Sequence, residues 1–144
     1  MLYFGIITKN MKIYIAYKFS NVQNKQVVRE DVQTLSIILE DKGHKTYILG
    51  RDLQGWKDLT HPISSKMIHI IKNLREADYV VAYVNSSVFS KGLLFELIWA
   101  KILGKSVILA IREGISEKPV RFFANKTYVY KTIKDLENFE WTLN

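Results

Sequence analysis

Glu96 is the residue whose type and position point most directly to chemistry. It lies near the start of the segment GLLFELIWAKILGK, and its nearest neighbours from Leu93 to Trp99 are all apolar. A carboxylate in such a helix is expected to be partly buried, which raises its pKa, while the helix N-terminus lowers it. Glu96 is therefore our candidate catalytic residue. The alternative is an acidic residue that only stabilises the first helical turn.

Other polar residues give weaker patterns. Ser86, Ser87 and Ser90 precede the same helix and could donate hydrogen bonds to an anion, although ordinary capping explains them too. The glycine motifs GxGxxG and GxxxxGK[ST] are absent, as is the nucleophile motif GxSxG. His44, His61 and His69 have no metal-ligand spacing, and the chain has no cysteine, so we predict no metal site. Trp56, in a polar segment, could stack on a base.

Alternating strands and helices are predicted to position these residues. β-branched and aromatic runs indicate strands, and apolar residues at helical spacing indicate helices. Strands are predicted at 12–17, 45–49, 78–84, 105–111 and 127–130, and helices at 26–42, 63–76, 93–103 and 132–139. This order predicts an α/β fold with a mainly parallel five-stranded sheet covered on both faces. Segment 78–84 should be an interior strand, because its apolar run needs cover on both faces.

Ligands of such sheets bind beyond the carboxyl ends of the strands, where the strand order reverses. The segments 17–21, 50–56, 85–92 and 112–121 lie at that edge in the predicted fold. We therefore expect Glu96 to face a cavity there.

Composition bounds the class of protein. The 144 residues predict a single domain spanning 1–144, with 1–10 as a short extra strand or an extension. No apolar run is long enough to span a bilayer, and the first residues lack the basic region and cleavage site of a signal peptide, so we expect a cytoplasmic protein without a membrane partner.

The formal net charge of +7 either favours anionic ligands or reflects a solvated basic surface. We predict neither a cofactor nor a nucleic-acid partner.

Several segments together resemble the nucleoside 2-deoxyribosyltransferase family, which includes the 2'-deoxynucleoside 5'-phosphate N-hydrolases. The resemblance covers nearly the whole chain beyond Met11 and is most specific from Ala77 to Ile111. The segments that carry it are IYIAYKF at 13–19, QNK at 23–25, ADYVVAYV at 77–84, GLLFELIWAKILGKSVILAI at 92–111, EKPV at 117–120 and the tail KTIKDLENF.

The resemblance implies a flavodoxin-like three-layer sandwich and a glutamate that attacks the anomeric carbon of the sugar. The family pattern around that glutamate matches Gly92, Glu96, Ala100, Gly104 and Lys105. It thus assigns the nucleophile role to Glu96, where a carboxylate can trap an oxocarbenium-like transition state. The substrate-binding residues it implies are Tyr17, Lys18, Phe19, Ser90, Gly92 and Arg121.

Three positions depart from the family pattern or refine it. Tyr17 stands where the family usually has a glycine that leaves room for the substrate, and Ile70, beside His69, stands where it often has an aspartate. Ser90 stands at a position that is aspartate in the transferases and a phosphate-binding serine in the phosphate hydrolases. Arg121 follows the KPV segment and would grip a 5'-phosphate with parallel hydrogen bonds. The resemblance with these residues favours a 5'-phosphorylated ligand.

The resemblance also implies a homodimer or higher homo-oligomer in which a neighbour completes each site. The apolar residues Trp99, Phe122, Phe123 and Trp141 are consistent with such an interface. Two other functions stay open. Segment 84–100 resembles the loop-to-glutamate segment of TIR domains that cleave NAD, and the departures at Tyr17 and Ile70 favour a non-catalytic nucleotide-binding or sensing module.

Overall fold

The computed structural model describes residues 10–18, 24–53, 55, 63–87, 90–116 and 118–141. Phe19, Trp56 and His61 lie outside the described residues. The strands are β1 (Lys12–Tyr17), β2 (Lys45–Tyr47), β3 (Tyr79–Val84), β4 (Ser106–Arg112) and β5 (Lys126–Tyr130). The helices are α1 (Lys25–Asp41), α2 (Leu49–Asp52), α3 (Ile63–Glu76), α4 (Lys91–Ile102), α5 (Lys118–Phe122) and a 3₁₀ helix (Ile133–Asn138).

The five strands form one sheet in the order β2-β1-β3-β4-β5, and every pairing is parallel. β3 lies at the centre of the sheet, and all six of its residues are buried. This confirms the prediction that the apolar run at 78–84 is an interior strand, since both of its faces are covered. The strand order is that of flavodoxin-like folds, and it reverses between β1 and β3.

Side chains from the two sheet faces form two separate hydrophobic clusters. On one face, α1, the 3₁₀ helix and Trp141 pack over alternate strand residues such as Ile13 and Val81. On the other face, residues of α3, α4 and α5 pack over Tyr14, Ala16 and their neighbours. The chain is therefore a three-layer sandwich, as predicted. None of the described helices is long and apolar enough to cross a membrane.

The region after β2 differs from the prediction. The second strand ends at Tyr47 and not at 49, because the short helix α2 begins at Leu49. A cluster of polar contacts holds α2 in place: the Arg51 guanidinium donates to the Ser36 hydroxyl at 3.0 Å and to the Thr46 carbonyl at 2.8 Å. Ser36 comes from α1, so the cluster depends on contacts that are distant in sequence.

Three further features of the helices differ from the prediction. Helix α4 begins at Lys91 and not at 93, because the Ser90 side chain caps its N-terminus. The connection between β4 and β5 contains the short helix α5, which was not predicted. The terminal helix is a 3₁₀ helix with a capping box between Thr132 and Asp135.

Trp141 does not lie at a surface, contrary to its assignment to an interface. Its side chain is 2% exposed, and its indole N–H donates to the Leu136 carbonyl at 2.8 Å. The ring packs with Tyr128 and Phe139. Trp141 therefore closes the core over the β5 end of the sheet.

Candidate active site

Glu96 is held by α4 against the sheet, beside the reversal point of the strand order. Ser90 begins this helix by accepting a hydrogen bond from the Leu93 N–H at 3.2 Å. Leu93, Leu97 and Ala100 then form the buried stripe of the helix at three- and four-residue spacing. Glu96 belongs to the same inward face and is 7% exposed. The apolar sequence around it thus buries the carboxylate, as predicted.

Among the described residues, the phenol of Tyr14 donates a hydrogen bond to the buried carboxylate of Glu96. Tyr14 belongs to β1 and is 0% exposed. Burial raises the pKa of Glu96 to about 8, and the hydrogen bond from Tyr14 opposes that rise. The pKa of Tyr14 is raised well above its ordinary value by burial and by the negative charge of Glu96.

Two more tyrosines lie within electrostatic reach of Glu96. The Tyr47 ring packs at 5.3 Å from the Tyr14 ring with an angle of 32° between them. Its pKa rises to about 12 through burial, the charge of Asp52 and the charge of Glu96. Burial and Glu96 also raise the pKa of Tyr17, while a backbone hydrogen bond from Gly50 opposes the rise. We call Tyr14, Tyr17 and Tyr47 the tyrosine cluster.

Lys18 follows β1 and meets the segment after β3. Its side chain is 2% exposed, and its ammonium group donates to the Ser86 carbonyl at 3.0 Å. The Ser86 hydroxyl is buried and has no hydrogen-bond partner among the described residues. A buried hydroxyl without a partner is rare, and a ligand oxygen could supply the missing bond. The structure thus brings Lys18 and Ser86 together where the strand order reverses.

The remaining predicted residues have separate surroundings. Gly92 lies in the exposed first turn of α4, and a Cβ atom there would meet only the Ser90 hydroxyl, at 4.0 Å. Arg121 is exposed on α5, which packs beside α4. Phe19 falls outside the described residues. The structure therefore places Tyr17 near Glu96, while Arg121 lies on another element.

The expectation that Glu96 faces a cavity stays a prediction. A cleft of about 250 Å³ lies along β2 and the end of α3, lined by residues such as Lys12, Lys45 and Asn73. Tyr47 also lines it, but Glu96 does not. The Glu96 side chain is buried, and the Tyr14 phenol contacts its carboxylate. Among the described residues, no group of histidines and carboxylates could hold a metal ion.

Two members of the tyrosine cluster were not predicted. Tyr14 and Tyr47 occur in apolar strand segments, where an aromatic residue is normally read as core. The parallel register pairs Tyr14 with Tyr47, which places both on the face that carries Glu96. The alternation of side chains along β1 was the available sequence signal for Tyr14, since it puts Tyr14 on the same face of the sheet as Ala16. Together these residues place the buried carboxylate of Glu96 beside a cluster of phenols.

Replacing Tyr14 with phenylalanine should raise the pH needed for activity. The phenol stabilises the charged form of Glu96, so its loss raises the pKa of that carboxyl further. A hydrogen bond to a charged group is worth about 1.5–3 kcal/mol, which corresponds to one to two pH units. In a plot of kcat/KM against pH, the acidic limb should shift to higher pH by about one unit or more. Tyr79→Phe is the matched control, since it removes a buried phenol that donates to the Trp141 carbonyl at 2.9 Å. An unmoved limb in Tyr14→Phe would contradict the role of Tyr14.

Comparison with known proteins identifies solved structures that share the fold of this chain. No family model and no curated protein sequence matches the chain. Several solved structures match the chain in fold. The CMP N-glycosidase BcmB of Clostridium botulinum has a TM-score of 0.64 at 19% identity, over 88% of this chain and 96% of that one. A 2-deoxyribosyltransferase of Bacillus psychrosaccharolyticus has a TM-score of 0.66 at 21% identity, over 90% and 93% of the two chains.

The solution structure of BlsM gives a TM-score of 0.70 at 20% identity, covering 90% of this chain and 86% of that one. All three matches span most of both chains. At these identities the likeness shows a common fold. The chain therefore has the flavodoxin-like fold that 2-deoxyribosyltransferases and the CMP N-glycosidase share.

Proposed function

We propose that this chain is an enzyme of the nucleoside 2-deoxyribosyltransferase family that cleaves or transfers the N-glycosidic bond of a nucleoside or nucleoside 5'-monophosphate. The observation that carries the proposal is the buried carboxylate of Glu96, held by the Tyr14 phenol beside the point where the strand order reverses. A structural acid at a helix start would be exposed, but Glu96 is 7% exposed. The shared fold supports the same class of reaction.

In the proposed mechanism, ionised Glu96 attacks the anomeric carbon as the base departs. The resulting glycosyl ester is then resolved by water or by an acceptor base. Tyr14 orients the carboxylate and favours its charged form. Incubating the protein with deoxynucleosides, nucleoside monophosphates and NAD, followed by chromatography for free base, tests the proposal. Release of no base from any of them would leave only a binding function.

A 5'-phosphate is the group that we assign to the cationic side of the site. Lys18 and the Ser86 hydroxyl, for which the described part of the chain offers no partner, lie where β1 and β3 end. Ser90 begins α4, whose N-terminus favours an anion. The net charge of +7 favours anion capture. Arg121, exposed on α5, would reach the phosphate of its own or a neighbouring subunit.

Arg121→Ala should weaken binding of a nucleoside 5'-monophosphate by roughly tenfold, because one charge-assisted contact is lost. Binding of the unphosphorylated nucleoside should stay the same. Titration calorimetry on both ligands measures the difference. Arg75→Ala is the matched control, since Arg75 is an exposed arginine in the last turn of α3. Equal affinity of the unchanged protein for the two ligands would refute a 5'-phosphate site.

The proposed enzyme is a homo-oligomer. Helix α4 also carries exposed apolar residues besides the exposed Lys91 and Lys101: Ile98 and Ile102 are 41% and 63% exposed, and Phe122 on the neighbouring α5 is 79% exposed. Exposed apolar patches of this kind mark protein–protein contacts. A second copy is the occupant we propose for this surface, which would bring the partner close to the helix that carries Glu96.

A further inference from the structure

The tyrosine cluster makes the surroundings of Glu96 suited to a positive charge. The Tyr14 phenol donates a hydrogen bond to Glu96, and the Tyr47 ring lies 5.3 Å from the Tyr14 ring. The negative charge of Glu96 also contributes to raising the pKa of Tyr14, Tyr17 and Tyr47. Tyr17 and Tyr47 are only partly buried. Aromatic faces attract cations, and the attraction grows where water is excluded. A buried carboxylate next to several tyrosine rings is thus a site for a cation.

The same residues are poor proton donors at neutral pH. The pKa of Tyr47 is about 12, and those of Tyr14 and Tyr17 are also raised. Asp52, the other carboxylate acting on Tyr47, accepts from the Arg51 guanidinium at 2.9 Å and from the Ile48 N–H at 2.8 Å. Both contacts are to the same carboxylate oxygen.

Helix α3 presents an apolar residue to this side of the sheet, because Ile70 is 8% exposed in the cluster between α3 and the strands. Among the residues that the structure describes, the surroundings of Glu96 therefore offer a nucleophile without a matched acid. Departure of a neutral base usually needs such an acid, because the base otherwise leaves as an anion.

We propose that the substrates of this site are N-glycosides whose base is positively charged, namely N-glycosylpyridinium or N7-alkylated purine nucleoside 5'-phosphates. The inference rests on the proposed function and specifies its substrate class. A cationic base meets both conditions of the site: it is attracted by Glu96 and the tyrosine rings, and it leaves as a neutral molecule.

The reaction balances without a proton donor. A Glu96 carboxylate oxygen forms a bond to the anomeric carbon while the bond from that carbon to the base nitrogen breaks. The electron pair of the broken bond stays on the base and neutralises its charge. Water then attacks the anomeric carbon, the ester bond to Glu96 breaks, and its electron pair restores the carboxylate. One proton of that water passes to the solvent.

Binding of a cation should also ionise the nucleophile. Glu96 is largely protonated at pH 7, because burial raises its pKa to about 8. A positive base beside it favours the carboxylate, so the cation should displace a proton as it binds. A neutral base of the same shape offers no such stabilisation. Cation recognition and proton release are therefore one linked event.

Two pairs of probes with matched shape test the inference. Nicotinamide mononucleotide carries a cationic base and its reduced form a neutral one; 7-methylguanosine 5'-monophosphate and guanosine 5'-monophosphate form the second pair. Calorimetry at pH 7 in buffers of different ionisation enthalpy gives affinity and proton release, and chromatography gives base release. In at least one pair we expect the cationic member to bind at least about tenfold more tightly than the neutral member. It should also release a proton on binding and be cleaved faster.

Variants separate charge from shape. Glu96→Gln should abolish proton release and most of the preference for the cation. Tyr47→Leu removes an aromatic ring and should reduce the preference, whereas Tyr47→Phe keeps the ring and should retain it. Thermal unfolding of each variant verifies that it is folded.

Equal affinity within both pairs, or faster cleavage of the neutral members, would overturn the inference. Cleavage of cytidine or deoxycytidine monophosphate without any preference for a cationic probe would refute the inference and leave the proposed function intact. A preference for the cation in binding, with no base released from any probe, would support cation recognition and refute the proposed catalysis.

Discussion

Glu96→Gln is expected to lower the rate of N-glycoside cleavage by about 10³-fold or more. Glutamine keeps the size of the side chain and can still accept the hydrogen bond from Tyr14, so the pocket should keep its shape. It has no charged oxygen to attack the anomeric carbon or to stabilise an oxocarbenium-like transition state. The loss should therefore appear in kcat, while substrate affinity changes much less.

Single-turnover measurements of base release would quantify this loss on whichever substrate the unchanged protein cleaves. Glu76→Gln is the matched control, because Glu76 is an exposed glutamate at the end of α3. It should cleave at the rate of the unchanged protein. Near-native turnover by Glu96→Gln would remove Glu96 from the mechanism and return it to the role of a structural acid.

The fold could be predicted because its signals are local and repeated. The run at 78–84 indicated an interior strand, and the helical stripe before Gly43 indicated α1 with an end at the right place. Gly43 has a φ of 93°, a left-handed conformation that glycine adopts without strain. Helix α2 could not be predicted, because Arg51 stabilises it through Ser36 and Thr46, which are distant in sequence or on another element.

The site could be predicted only in part, for a similar reason. Glu96 was detectable as a polar residue in an apolar helix. Tyr14 was not, because a buried tyrosine in a strand looks like any core aromatic residue, and only the fold shows that its phenol meets a carboxylate 82 positions later in the chain. Lys18 likewise gave no sign of burial. Trp141 was misassigned to an interface because a single aromatic residue near a terminus has no periodicity to show which way it faces.

The burial of Glu96 should also affect stability in a way that depends on pH. Its pKa is about 8 in the folded chain against an ordinary value of 4.5 in the unfolded chain. Between those values the folded state binds a proton that the unfolded state has released, so the contribution of Glu96 to stability is highest below about pH 4.5 and falls as pH rises towards 8. The two pKa values differ by about 3.5, and one pKa unit is worth about 1.4 kcal/mol, so the loss reaches up to about 5 kcal/mol.

Glu96→Gln stays neutral at every pH and should escape this loss. We expect the variant and the unchanged protein to have similar unfolding free energies near pH 4.5, and the variant to be more stable by several kcal/mol above pH 8. Urea unfolding at a series of pH values and one fixed protein concentration measures the difference, and Glu76→Gln again serves as the control. Parallel curves for the two proteins would show that Glu96 is not a buried acid. A widening gap would show that the chain retains a carboxylate that destabilises it at the pH where that carboxylate is charged, which is expected of a group kept for catalysis.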